Sequence, residues 1–374
     1  SVTASNAEGT SSAAQDSFGQ APIAVGMGPQ GLTTGHDGSI WVANDNLATV
    51  QQIVNDNGVW TPQATIGVGM GPTVLTTGLD GSIWVVNQTD KTVQQIVNDS
   101  GVWTAQAPIG VGQSPDALTT GLDGSIWVAN YGSNTVQQIV NDNGVWTAQT
   151  AIVVGIQPYA LTTGLDGSIW VANYSDNTVQ QIVTDNDVWT AQAAIDVGEE
   201  PVALTTGLDG SIWVANSGGA NSVQQIVQHN GAWKAEAAIS VERPWALTTG
   251  RDGSIWVTNS GGANSVPNSV QQIVQHNGAW KAEAAIGVGN SIVPDGLTTG
   301  LDGSIWVANE SSNTVQQIAA PPDAPVTLDA VFSQDRREVT LNWDRPVIGG
   351  AVIDGGSPVI SYTATVAQGE YFQT

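Results

Sequence analysis

The sequence predicts an all-β fold, a seven-bladed β-propeller, and three observations predict it. A block of the form G-x-D-G-S-I-W-V-x-N occurs seven times along the chain. Its tryptophans recur every 43 residues from Trp41 to Trp256, and the last step, to Trp306, is 50 residues. The two ends of the array fit together as a closed ring. A period in the low forties with strand-like content is typical of one four-stranded propeller blade per repeat.

The third repeat shows how each blade is expected to be built. Residues 117–120 form the first strand, and the Asp-Gly pair in 121–124 suits the positive backbone dihedrals of a tight hairpin turn. The second strand, 125–130, is a nearly unbroken apolar run, as expected for a blade packed on both faces by its neighbours. We expect the third strand at 135–140 and the fourth within 145–154.

The ends of the array predict ring closure. The seventh repeat stops at Ile318 and runs into Pro321-Pro322 without a fourth strand of its own. Near the N-terminus, residues 21–26 (A-P-I-A-V-G) match the fourth strands of other repeats, such as A-P-I-G-V-G at 107–112. We therefore expect the first strand of the chain to complete the last blade, which leaves no unpaired edge between the two.

The chain divides into three segments. Residues 1–15 are small and polar and read as a flexible linker, and 16–320 form the propeller. A second unit at 323–374 contains V-T-L-N-W at 339–343 and G-G-S-P-V-I-S-Y at 355–362. These motifs resemble a fibronectin type III domain, which takes about 100 residues. The unit is therefore predicted to be partial, in a chain taken from a longer multidomain protein.

Composition limits the partners. The chain has 8 Lys plus Arg against 33 Asp plus Glu, for a net charge of −25, which argues against nucleic acid and anionic membranes. No stretch approaches the roughly 20 apolar residues of a membrane span, and there is no cysteine to form a disulfide. We expect a monomeric unit of a larger bacterial protein, extracellular or at the cell surface.

The phrasing P-x-x-L-T-x-G-x-D-G-S-I-W-V-x-N is similar to that of the NHL, YVTN and virginiamycin B lyase-like group of bacterial propellers, over about residues 16–320. The resemblance implies the fold. For the streptogramin lyase of this group it implies a magnesium-assisted elimination, with histidine and glutamate at the mouth of the central channel. That chemistry requires imidazole on the face that carries the loops between blades.

The three histidines argue against that activity here. His36 lies in the turn between strands one and two, and His229 and His276 lie in turns between strands three and four. Both turn types are expected on one face of the ring, whereas the inter-blade loops and the strand two–three loops are expected on the other. The histidines are thus predicted to be solvated turn residues.

The repeats differ mainly around the inter-blade proline and in the loops between strands two and three. The residues that follow that proline are expected to ring the mouth of the central channel; they are Gln30, Thr73, Asp116, Tyr159, Val202, Trp245 and Asp295. A uniform scaffold with one diversified face suits a binding surface, although drift in permissive loops explains the same pattern. Blades four to six carry the richest set of aromatic and charged side chains there. The predicted ligand-binding residues are Tyr131, Tyr159, Tyr174, Glu199, Glu200, Glu242, Arg243 and Trp245.

The sequence therefore favours a non-catalytic binding module that recognises a protein or a glycan through these loops. One alternative is a metal-assisted lyase or hydrolase at the channel mouth, using Glu199, Glu200 and Glu242. The other is a structural spacer. No catalytic residue and no cofactor is predicted, although calcium or magnesium is compatible with the carboxylates.

Two further repeated features are predicted to be structural. The aspartates of the D-G turns fit turn chemistry, with a calcium site as the alternative. The outer tryptophans, from Trp60 to Trp280, recur so regularly that packing at the blade edges explains them better than carbohydrate binding.

Overall fold

A computed structural model describes residues 21–186, 188–260, 268–289 and 294–318, together with the backbone of several strands outside them. The described ring is a seven-bladed β-propeller whose blades are separate antiparallel sheets, as the sequence predicted. Its helical content is three 3-10 turns, Asp45–Leu47, Tyr131–Ser133 and Glu310–Ser312. Within the described ranges, none of the helical segments qualifies as a membrane span.

Each blade begins at the channel and runs outwards. The innermost strands are Pro29–Thr34, Pro72–Thr77, Pro115–Thr120, Pro158–Thr163, Pro201–Thr206, Pro244–Thr249 and Pro294–Thr299. The second strands are Ile40–Asn44, Ile83–Asn87, Ile126–Asn130, Ile169–Asn173, Ile212–Asn216, Ile255–Asn259 and Ile305–Asn309. The third strands are Thr49–Asp56, Thr92–Asp99, Thr135–Asp142, Thr178–Asp185, Ser222–His229, Asn268–His276 and Thr314–Ile318.

The fourth strand lies within the predicted span but is divided into two halves. In the third blade, Val145–Ala148 pairs with one end of the third strand and Ile152–Val153 with the other. At the break the side chain of Gln137 donates to the carbonyl of Gln149 (3.0 Å). The outer halves are Val59–Pro62, Val102–Ala105, Val145–Ala148, Val188–Ala191, Ala232–Ala235 and Ala279–Ala282. The inner halves are Ile66–Gly67, Ile109–Gly110, Ile152–Val153, Ile195–Asp196, Ile239–Ser240 and Ile286–Gly289.

Ring closure by the N-terminal strand is confirmed. Ile23–Ala24 pairs antiparallel with the third strand of the last blade, Ile23 opposite Val315. The next residue, Val25, donates its amide to the carbonyl of Asn313 (3.0 Å). This short strand takes the place that the inner half of the fourth strand occupies in the other blades.

Tryptophans join neighbouring blades. The buried Trp127 donates its indole N–H to Ser125 Oγ (3.0 Å), and Ser125 is held in turn by Asp123. The outer Trp189 of the next blade packs edge to face on Trp127, with ring centroids 4.7 Å apart. Six inner–outer pairs of this kind occur, so the predicted structural roles of the turn aspartates and outer tryptophans are supported.

A belt of threonines joins the innermost strands at the end of the channel near the D-G turns. Thr163 donates its hydroxyl to the carbonyl of Thr120 (3.0 Å), so it accepts from Thr119 at the same distance. The pattern continues around the ring and closes between Thr34 and Thr298 (3.2 Å). The belt gives every pair of neighbouring blades polar contacts at the axis.

Outside the ring, backbone strands occur at both ends of the chain. They are Val2–Asn6, Gly9–Thr10, Thr327–Phe332, Val339–Asp344, Val347–Ile348, Ala351–Val352 and Val359–Ala364. Val2–Asn6 pairs with Val359–Ala364. Most of segments 1–15 and 323–374 lies outside the described residues, so the linker and fibronectin type III assignments stay predictions.

Candidate functional site

The two diversified loops of each blade form a single rim. In the third blade Tyr131 of the strand two–three loop donates its amide to the carbonyl of Ser114 in the inter-blade loop (2.9 Å). Tyr174 bonds Gln157 in the same way in the fourth blade (2.9 Å). The D-G turns instead share clefts with the strand three–four hairpins of the next blade, for example Asp123 with Thr184 and Trp189. Loops and turns thus lie on opposite faces, as predicted.

The residue before the inter-blade proline takes a left-handed backbone conformation in the first six blades. In the first two it is glycine, Gly28 and Gly71. The next four blades place a side chain there, with φ between 41° and 59°. These residues are Ser114, Gln157, Glu200 and Arg243. The left-handed region is natural for glycine and costs other residues about 1–2 kcal/mol.

The innermost strands converge on a cavity of about 570 Å³ that opens on the rim. The residue after each inter-blade proline stands at this mouth, as predicted for that position. Its lining includes Gln30, Thr73, Asp116, Tyr159, Val202, Trp245 and Asp295. Small side chains and then leucines, such as Ala160 and Leu161, line the level beneath.

Four aromatic rings gather on one side of the mouth. Tyr159 is central, with its ring centroid 6.0 Å from Tyr131, 5.7 Å from Tyr174 and 6.1 Å from Trp245. Three of these side chains remain partly buried, and Trp245 is 38% exposed. The cluster presents flat apolar surface next to solvent, which is the kind of surface that anchors ligands.

Two carboxylates, Asp116 and Asp295, complete the mouth. Burial raises the pKa of Asp116 to about 6, although a hydrogen bond from the Gln88 amide opposes the rise. Burial raises the pKa of Asp295 to about 6 as well; the Trp245 indole N–H opposes this and the nearby Glu310 adds to it. Burial, followed by the negative charges of these two aspartates, raises the pKa of the Tyr159 hydroxyl between them.

The predicted site residues divide into two groups. Tyr159 and Trp245 line the cavity, and Tyr131 and Tyr174 contact Tyr159. Burial raises the pKa of Tyr174, and a hydrogen bond with the Glu200 carboxylate raises it further, so Glu200 adjoins the cluster. The other three predicted residues are exposed on the rim and absent from the cavity lining. They are Glu199, Glu242 and Arg243.

Sequence reasoning missed the acidic side of the cavity. Asp45, Asp116, Asp295 and Glu310 line it, but none was predicted as a site residue. Asp116 and Asp295 occupy the same repeat position as Tyr159 and Trp245. This shared position was the sequence signal by which these two aspartates could have been included among the predicted site residues.

The donor set at the mouth does not fit a magnesium site of the kind the resemblance implied. Among the described residues, no three carboxylate or imidazole side chains converge closely enough to hold a metal ion. The three histidines of the chain are exposed on the opposite face. His36 lies in a turn, as predicted, whereas His229 and His276 are the last residues of third strands and contact Glu236 and Glu283.

A family model shows where the propeller belongs. The model of the virginiamycin B lyase family matches residues 17–319, most of the chain. The chain belongs to the virginiamycin B lyase family. No curated protein matches it in sequence.

Solved structures of the virginiamycin B lyase family share the fold. A streptogramin B lyase is 20% identical over 79% of this chain and 96% of its own, with a TM-score of 0.63. A catalytically inactive His-to-Ala variant of the Staphylococcus aureus virginiamycin B lyase, solved with quinupristin, is also 20% identical, covers 79% and 97%, and has a TM-score of 0.64. A putative 6-phosphogluconolactonase from Bacteroides fragilis is 15% identical over 93% and 99%, with a TM-score of 0.63. At such identities the likeness shows the fold.

The raised carboxylate pKa values predict how stability depends on pH. Between about pH 4 and 6 the folded state holds protons on Asp116 and Asp295 that the unfolded state releases, so the free energy of unfolding falls as pH rises through this window. Each ionised aspartate costs on the order of 2 kcal/mol at pH 8. Asp116→Asn is expected to be more stable than the parent at pH 8, with a smaller advantage at pH 4.

Urea denaturation across this pH range measures the effect. The matched control is Asp142→Asn, which makes the same charge change at an exposed hairpin on the opposite face. If Asp116→Asn and Asp142→Asn change the free energy of unfolding equally at every pH, burial does not raise the pKa of Asp116.

Proposed function

We propose that this protein is a non-catalytic binding module that recognises a protein or a glycan at the mouth of its propeller channel. We place it in a secreted or surface-displayed bacterial chain. The observation that carries the proposal is the aromatic cluster of Tyr131, Tyr159, Tyr174 and Trp245 beside a cavity of about 570 Å³. Binding pockets typically combine concave apolar surface with a few polar groups, and both are present here.

The left-handed residues support the proposal independently. The first two blades have glycine at this position, Gly28 and Gly71. Gln157, Glu200 and Arg243 adopt the same left-handed backbone conformation, which is energetically unfavourable for residues other than glycine. Backbone strain of this kind concentrates at functional sites. Gln157 and Arg243 belong to blades four and six, which supply Tyr159, Tyr174 and Trp245, and Glu200 of blade five adjoins Tyr174.

The lyase alternative has less support. The Staphylococcus aureus relative solved with quinupristin is catalytically inactive when one histidine is replaced by alanine. Here His36, His229 and His276 all lie on the face away from the cavity. The carboxylates at the mouth also lack the convergence that a divalent cation needs.

The test combines binding and turnover assays. Calorimetric titration with panels of soluble oligosaccharides and peptides should find a ligand for the parent protein. Tyr159→Ala should weaken its affinity at least tenfold, since a central aromatic anchor contributes about 2 kcal/mol or more. Glu200→Gly removes a rim side chain while relieving backbone strain, so a loss of affinity there cannot come from a weaker fold.

The matched control is Val188→Ala, which trims an exposed apolar side chain on the opposite face. It should bind as the parent does. Incubation of the parent protein with quinupristin and magnesium, followed by chromatography, should return intact quinupristin. Steady conversion of quinupristin by the parent, or ligand affinity that Tyr159→Ala leaves unchanged, would contradict the proposal.

A further inference from the structure

The two partly buried carboxylates of the mouth have no positive partner among the described residues. Asp116 accepts a hydrogen bond from the neutral amide of Gln88, and Asp295 accepts one from the neutral indole of Trp245. Within the described ranges, the contacts between a basic and an acidic side chain are the two histidine–glutamate contacts on the opposite face. Charged groups that are withdrawn from water in proteins normally have a partner of opposite charge. The lack of a cationic partner for these two carboxylates therefore distinguishes this site.

The other charged side chains that line the cavity are also negative. Asp45 and Glu310 add carboxylates, and no lysine or arginine is among the described residues that line it. The net charge of the chain is −25, which adds a negative field around the rim. A concave site lined by one sign of charge concentrates ligands of the opposite sign.

The shape of the site favours an organic cation over a metal ion. The carboxylates are spread around the mouth, and among described residues no three of them gather as a metal site would require. Tyr159 lies close enough to Asp116 and Asp295 to interact with both charges, and Trp245 contacts Tyr159 and hydrogen bonds to Asp295. Aromatic faces attract ammonium and guanidinium groups, more strongly when those groups are shielded from water.

We propose that the channel mouth binds an organic ammonium or guanidinium group, seated on Tyr159 and Trp245 and neutralised by Asp116 and Asp295. This proposal rests on the binding function proposed above and names the chemistry of its ligand. A lysine or arginine side chain of a peptide and the free amine of an amino sugar share this chemistry. The bound cation supplies the charge that the described chain does not.

The experiment uses pairs of probes in which acetylation removes the positive charge of an amine. The first pair is a terminally blocked tripeptide Gly-Lys-Gly and the same peptide with an acetylated lysine amine. The second pair is a glucosamine tetramer and an N-acetylglucosamine tetramer. Calorimetric titration of the full chain at pH 7.5 and low salt should give at least tenfold tighter binding for the amine of one pair. The pair that responds identifies the source of the cation.

Variants then locate the effect. Asp116→Asn and Asp295→Asn keep size and hydrogen-bonding capacity, and each is expected to reduce the preference for the amine over its acetylated partner by tenfold or more. Asp142→Asn, on the opposite face, is the charge-matched control and should keep the full preference. Thermal unfolding of each variant shows that the fold is intact.

The outcomes separate the two proposals. Equal, Tyr159-dependent binding of an amine and its acetylated partner overturns the cation proposal and leaves the binding module standing. A preference that Asp142→Asn reduces as much as Asp116→Asn does assigns the effect to overall charge and also overturns it. If no probe of either pair binds while the broader panels give a ligand that Tyr159→Ala abolishes, the cation proposal alone fails. If those panels give none either, both proposals fail.

Discussion

Replacement of Trp127 by alanine is expected to lower the free energy of unfolding by about 3–5 kcal/mol. The side chain is fully buried between blades three and four, and its indole N–H is hydrogen bonded to Ser125. The substitution removes apolar contact, leaves a cavity and removes one of the hydrogen bonds that Ser125 accepts. It also removes the edge-to-face contact with Trp189, which adds about 0.5–1.5 kcal/mol beyond area burial.

The ring itself provides a matched control for that contact. Trp256 is as deeply buried as Trp127 but has no outer tryptophan against it in the described blades, because the seventh repeat lacks one. Trp256→Ala should therefore cost less, and a double-mutant cycle between Trp127 and Trp189 should show favourable coupling. Urea denaturation measures the stabilities of the parent, the three single variants and the double variant. Zero coupling in the cycle would refute the assigned role of the outer tryptophans.

Replacement of Ile23 by aspartate is expected to destabilise the whole ring, by about 3 kcal/mol or more. Ile23 is 8% exposed and packs in a cluster shared by the last and first blades, which includes Leu32, Trp306 and Val315. An unpaired carboxylate there loses its hydration without gaining a partner. The same change also breaks the pairing that closes the last blade.

The corresponding position inside the array separates these two causes. Ile286 occupies the same place in the fourth strand of the sixth blade, opposite Val270, and is buried like Ile23, but its blade is built from contiguous chain. If closure adds to stability, Ile23→Asp will lower the melting temperature more than Ile286→Asp does. An equal or smaller decrease would mean that the N-terminal strand is an accessory to the ring and not its closure.

The architecture could be predicted because the same local sequence signals occur in all seven repeats. The D-G turn, the apolar second strand and the proline between blades recur in register, and the orphan strand at Ile23 matched the missing one. The break in the fourth strand could not be predicted. It depends on side chains such as Gln137 bonding the backbone of Gln149 across the sheet, a contact that a linear pattern does not display.

The site was predicted in part for a similar reason. Position within the repeat identified the mouth, and residue type identified Tyr159 and Trp245 as anchors. Burial decides the rest, and it depends on how neighbouring blades crowd a side chain. The adjacent glutamates Glu199 and Glu200 looked like the acidic centre, yet both are exposed, whereas Asp116 and Asp295 lie within the mouth.

Hydrogen–deuterium exchange of the full chain, with and without its tightest-binding probe, tests most directly whether the channel mouth is the binding site. If the channel mouth is the binding site, exchange on binding should slow in the rim segments around Tyr159 and Trp245. Exchange should not change in the D-G turns of the opposite face, such as 121–125. Protection confined to those turns, with the rim unchanged, would show that the ligand binds elsewhere.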